Sequence, residues 1–99
     1  MWTFLVLSAI AMQRSSTMPP LIPSAGFVPD HKTAIRIAEA VLIPVYGEQQ
    51  IIHERPFHAK LVKNVWYVRG SLPKRWAGGV PEIEISKSDG RILYVMHGR

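Results

Sequence analysis

At 99 residues the chain is long enough for one domain. It has no cysteine, which excludes disulfides, a thiolate zinc site, a cysteine nucleophile and a lipid-anchored lipoprotein. Twelve Lys and Arg against seven Asp and Glu give a net charge of +5, but only Lys74 and Arg75 are adjacent, so the sign favours an acidic partner and the scatter argues against a nucleic-acid stripe.

In chain order, Trp2 to Met12 form an uncharged apolar run. It is shorter than the roughly 20 residues of a membrane span and has the length of a secretory h-region. Ala9-Ile10-Ala11 fits a small-x-small cleavage site, although no Lys or Arg precedes the run. The expectation is a periplasmic or secreted protein if this segment is a signal peptide, a cytoplasmic one otherwise, and no stable membrane insertion. Gln13 to Pro29 is rich in Ser and Pro and reads as an extended tether. The division expected is therefore 1–27 for leader and tether and 28–99 for the domain, near the lower size limit for a chain that folds without staples.

Asp30, before a helical pattern, is a candidate N-cap. Ala34, Ile35, Ala38, Val41, Leu42 and Val45 recur at three- and four-residue spacing, with Lys32, Arg36 and Glu39 on the other side. Arg36 and Glu39 are spaced for an i,i+3 pair. Pro44 disfavours helix at Ile43, and Gly47 supplies the stop, so the pattern predicts an amphipathic helix of about four turns. Glu48 to Pro56 is compatible with a second short helix or with a loop.

From Phe57 the period becomes two. Phe57, Ala59 and Leu61 alternate with His58, Lys60 and Val62; Trp66 and Val68 alternate with Val65, Tyr67 and Arg69. A two-residue turn at Lys63-Asn64 pairs Leu61 with Trp66 and Ala59 with Val68. In a second hairpin Ile83 and Ile85 alternate with Glu82, Glu84 and Ser86, and Ser88-Asp89-Gly90 is the turn. That three-residue loop places Leu93 and Val95 in the core and Ile92, Tyr94 and Met96 outside. The sum is α+β: a helix at the start of the domain, packed on a four-stranded antiparallel sheet.

Catalytic signals are weak. Ser71 in Arg69-Gly70-Ser71-Leu72-Pro73 lacks the second glycine of a nucleophile elbow. The four histidines show no metal-binding spacing and are read as solvent-facing. Glu82 and Glu84 share a strand face and could mimic an acid–base pair, but they more simply keep the strand polar. Neither a metal nor a cofactor is expected, and an enzyme is not.

The blocks Ala34-Ile35-Arg36-Ile37-Ala38-Glu39-Ala40-Val41, Pro44-Val45-Tyr46-Gly47, Glu54-Arg55-Pro56-Phe57, Asn64-Val65-Trp66-Tyr67-Val68, Gly70-Ser71-Leu72-Pro73, Gly78-Gly79 and Ile83-Glu84-Ile85-Ser86-Lys87-Ser88-Asp89-Gly90-Arg91-Ile92 occur in this order. Together they resemble the immunity proteins of bacterial polymorphic toxin systems that have the nuclear-transport-factor-2-like (cystatin-like) fold. Ser71 stands where Thr is expected, and Leu42 where Trp is common. The resemblance implies a protein that binds a cognate toxin and neutralises it by protein–protein contact.

Two surfaces qualify for that contact. One is the sheet face away from the helix, with Tyr67, Arg69, Glu82, Glu84 and Tyr94, where aromatics and charge are mixed. The other is the loop Lys74-Arg75-Trp76, whose Trp flanked by cations could enter an acidic cleft. Two alternatives accompany this reading. Ile83 to Ile92 also resembles the exported PepSY module, which would modulate a protease or sensor. A small-molecule isomerase or hydrolase of the wider fold would need a buried carboxylate or histidine, and the expected core is wholly apolar.

Overall fold

The structure, a computed structural model, describes residues 21–73 and 78–98. The expected signal-like run, residues 13–20 of the tether and the Lys74-Arg75-Trp76 loop lie outside the described residues.

Helix α1 spans His31–Tyr46. Asp30 caps it: Oδ1 accepts from the Thr33 backbone N–H and from Thr33 Oγ1, both at 2.8 Å. Ala34, Ala38 and Leu42, one helical stripe, are fully buried. Pro44 does not end the helix. It falls in the last turn at an exposed position, where one missing donor is cheap. Gly47 does end it, with φ 96° and its N–H on the Ile43 carbonyl at 2.7 Å. The chain turns there into α2, Glu48–His53, so the segment left open between helix and loop is a short helix. The expected Arg36–Glu39 pair is not the one formed. Arg55, just past α2, grips Glu39 instead, Nη2 to Oε1 at 2.7 Å and Nε to both oxygens at 3.2 Å, a forked geometry that Arg favours. The Glu39 carboxylate raises the Arg55 pKa, and the pair ties the end of α2 back onto α1.

The sheet has strand order β1-β2-β3-β4, all antiparallel: β1 His58–Val62, β2 Val65–Arg69, β3 Pro81–Ser86 and β4 Ile92–His97. Lys63 and Asn64, both with positive φ (48° and 67°), make the first turn, and Leu61 faces Trp66 and Ala59 faces Val68 as the alternation predicts. Helix α1 lies over β1, β2 and β3 and meets β4 through its last residue, Tyr46, whose ring packs on His97. Trp66, Val68, Ile83 and Ile85 meet Leu42, Ile51, Phe57 and Val28 in one core.

The second hairpin departs from expectation. The Gly90 N–H bonds the Ser86 carbonyl at 2.9 Å and the Ser86 N–H bonds the Arg91 carbonyl at 2.8 Å, which closes a four-residue loop rather than three. Ile85 therefore faces Ile92, not Leu93. A bulge between Glu84 and Ile85 absorbs the extra residue, Leu93, which is 41% exposed. Beyond the bulge the expected register returns, with Glu84 opposite Tyr94, Ile83 opposite Val95 and Glu82 opposite Met96.

The chain before α1 is already bound to this hairpin. The Phe27 and Val28 amides bond the Ser88 and Lys87 carbonyls at 2.9 and 3.0 Å, and Lys87 Nζ reaches the Ala25 carbonyl. Gly26 makes this approach possible: its φ is 86°, and a Cβ there would lie 2.5 Å from the Lys87 carbonyl oxygen. Trp66 Nε1 donates to the Val28 carbonyl at 2.8 Å, fixing the entry to the helix against the middle of the sheet.

Candidate functional site

Because α1 covers one face of the sheet, the alternating residues of β1 to β3 are divided between core and an open face. Directly opposed residues of antiparallel strands project to the same side, so the register defines rows across that open face. One row runs His58, Arg69, Glu82, Met96; the next runs Lys60, Tyr67, Glu84, Tyr94. Between the two rows lies a groove of about 200 Å³, walled by His58, Lys60, Tyr67, Arg69, Glu82 and Glu84. Ala59, Val68 and Ile83 also line it, from the intervening positions of the three strands, two of them with side chains buried in the core.

Charge is ordered along both rows. His58 and Lys60 stand on β1, Arg69 and Tyr67 on β2, carboxylates on β3, and Met96 and Tyr94 on β4. Pairing within the face is poor. Arg69 Nη2 and Glu82 Oε2 are 3.9 Å apart with both side chains largely in water, a geometry that contributes little. Lys60 and Glu84 make no ion pair or hydrogen bond among the described residues. Tyr67 and Tyr94 are 43% and 50% exposed, and among the described residues the Tyr94 hydroxyl bonds Met96 Sδ alone, at 3.4 Å.

Of the residues singled out from the sequence, Tyr67, Arg69, Glu82, Glu84 and Tyr94 come together on this face. His58 and Lys60 complete it from β1. Lys74, Arg75 and Trp76 lie outside the described residues.

Sequence reasoning missed a second polar cluster. The core is not wholly apolar: Glu54 is 1% exposed. Its Oε2 accepts from Gln50 Nε2 at 3.0 Å and meets His97 Nε2 at 3.3 Å, while Oε1 has no partner among the described residues. The His97 ring, partly covered rather than free in solvent, also packs against Tyr46 with centroids 5.3 Å apart. This cluster ties α2, the end of β4 and the end of α1 together. A signal was present: Glu54 follows buried Ile51 by three residues and Gln50 by four, which puts all three on one side of a short helix. None of the cluster lines the groove. Among the described residues no three His, Asp or Glu side chains stand close enough to hold a metal ion, and no helix is long and apolar enough to cross a membrane.

Comparison with known proteins places the chain in a family. Residues 33–99 match the family described as NTF2 fold immunity protein. The uncharacterized protein YhhH of Escherichia coli (strain K12) is 36% identical over 75 residues, which is 75% of this chain and 59% of that protein. The uncharacterized protein YbbC of the same organism is 37% identical over 67 residues, 67% of this chain and 55% of that protein. The chain thus spans a little over half the length of these two relatives. No solved structure gives a match. The match runs from the first turn of α1 to the end of β4 and includes every strand of the open sheet face, and on that extent the chain belongs to the family of NTF2-fold immunity proteins.

Proposed function

We propose that the protein binds a cognate bacterial toxin through the open face of its sheet and neutralises it by occupying a surface the toxin needs, without catalysis. The observation that carries this reading is the open face itself, in a chain of an immunity family. One side of the sheet is sealed by α1, while the other presents two exposed tyrosines among charges that the fold leaves unpaired or poorly paired. Aromatic and charged groups mixed on a firm, flat scaffold are what protein-binding hot spots use. The Glu54–His97 contact supports a structural role rather than an acid–base one, since it braces three elements and stands apart from the groove.

The apolar run at 2–12 supports export, which would put protection in the periplasm. Fractionating cells that express the full chain tests this; recovery of uncleaved protein in the cytosol overturns it.

The central test is co-expression with a candidate toxin recovered by pull-down from the native host and identified. Growth should be restored, and the two purified proteins should form a stoichiometric complex by calorimetry. Full toxicity in the presence of folded protein, with no heat of binding, defeats the reading.

A further inference from the structure

In one row of the open face Arg69 is the direct cross-strand neighbour of Glu82 and meets it only at 3.9 Å, and in the other the two charges, Lys60 and Glu84, are not neighbours. Lys60 and Glu84 belong to one row but sit on strands two apart, roughly 9.5 Å from strand to strand, with Tyr67 between them. At that separation across an exposed surface their mutual attraction is screened to little. Glu82 and Glu84 project from alternate positions of β3, about 7 Å apart along the strand, and repel each other. Among the described residues Arg69 is the one cation within ion-pair reach of either, and it stays 3.9 Å from Glu82. A face that served solubility alone would gain from letting Lys60 and Glu84 neighbour each other directly. The Lys60 row instead separates the signs across the sheet and sets Tyr67 and Tyr94 on either side of Glu84.

From this placement we infer that the toxin seats an arginine between Glu82 and Glu84, against Tyr67 and Tyr94, and presents a carboxylate about 10 Å away to Lys60 and His58. Arginine fits the acidic end better than lysine. Its planar fork offers five donors, enough to reach two carboxylates at once, and its flat face stacks on tyrosine, whereas an ammonium is a compact point charge. The groove of about 200 Å³ between the rows has room for the stem of one long side chain. The inference rests on the proposed immunity function and adds to it the chemistry of the contact: a segment carrying Arg and Asp or Glu on one side, spaced as β1 is from β3.

The test uses the full chain and the toxin identified by pull-down from the native host, with affinity measured by calorimetry. Glu82→Gln and Glu84→Gln should each weaken binding about tenfold or more, and Tyr67→Ala by a similar factor. Lys60→Gln should weaken it less, about fivefold, because a single charge at the rim contributes less than a desolvated anchor. Arg36→Gln, on the exposed side of α1, should change affinity less than about twofold. Substituting the toxin's arginines one at a time by lysine should identify one that reproduces the loss, and that loss should not add to the one from Glu84→Gln. Two failures are distinguishable. If the unmodified proteins do not bind, the immunity reading falls and this contact falls with it. If they bind tightly while Glu82→Gln, Glu84→Gln and Tyr67→Ala all stay within about twofold of the unmodified chain, immunity stands and the arginine seat is wrong.

Discussion

Trp66 shows how much one side chain can organise. Its ring is 7% exposed in the core, and its Nε1 donates to the Val28 carbonyl, so it joins the sheet to the segment that enters α1. Trp66→Phe keeps most of the apolar volume but strands a buried carbonyl without its donor. The expected cost is about 1–3 kcal/mol in urea denaturation, and a loss below about 0.5 kcal/mol would show that water takes over the bond. Asp30 acts by charge. The backbone N–H of Thr33, then its hydroxyl, hold the Asp30 pKa below 3.8 in the folded chain. A depressed folded value means that the cap's stabilisation is present above the unfolded carboxyl's pKa and is lost as pH falls through the lower folded one. Asp30→Asn keeps a capping oxygen but removes that titration. Its thermal midpoint should therefore fall less steeply than the unmodified chain's between about pH 5 and pH 2. Asp89, lowered by the Arg91 backbone N–H, keeps a residual slope of the same sign in both. Parallel profiles for the two proteins would mean that the cap is not a pH-sensitive element. Glu54 marks where residue-level reading stopped. A glutamate three residues from a core isoleucine looks like ordinary surface when the segment's helicity is undecided, and only its distant partner His97, 43 positions on, explains its burial.

At the scale of elements, legibility followed how local the determinants are. The first hairpin was readable because two alternating strands and a two-residue turn each demand the same register, and a slip by one would turn Trp66 and Val68 out to water. Its turn places Lys63 and Asn64 at positive φ, which asparagine and glycine tolerate better than lysine. Asn64→Gly should therefore leave the fold intact and stabilise it by up to about 1 kcal/mol; destabilisation would show that the Asn64 side chain holds the turn. The second hairpin was half readable. Its outward residues Glu82, Glu84, Tyr94 and Met96 follow the alternation, but the four-residue loop and the compensating bulge set Ile92 rather than Leu93 opposite Ile85 and leave both exposed. Nothing local decides between a three- and a four-residue loop, because both use Gly90 at positive φ, here 76°. The docking of residues 26–28 was not legible either, since it depends on the carbonyls of Lys87 and Ser88 at the far end of the domain. Gly26 is its weak point: a Cβ collides with the Lys87 carbonyl, and the backbone sits where side chains are strained. Gly26→Ala should destabilise by about 1–3 kcal/mol, and hydrogen exchange at the Phe27 and Val28 amides should lose protection before the sheet does. Unchanged protection at those amides would refute the docking.

The molecule as a whole sets two separate electrostatic scales. On the proposed reading the open face works at contact distance, where carboxylates and rings would be desolvated by a partner and so govern how long a complex lasts. The net charge of +5 works farther out, pulling an oppositely charged partner inward before any side chain touches. These scales answer to salt differently, since the Debye length shrinks from about 10 Å at 0.1 M to about 3 Å at 1 M. For a toxin of net negative charge, as the basic balance favours, stopped-flow association should slow by about tenfold or more between about 0.05 and 0.5 M salt. Dissociation should change by less than about threefold over the same range, because the groups that hold the complex would by then be out of water. Glu84→Gln should invert the pattern, leaving the association rate and its salt slope nearly intact while dissociation accelerates. If salt leaves association unchanged or quickens it, the toxin is not the acidic partner that the chain's charge selects, and the contact would have to form without long-range steering.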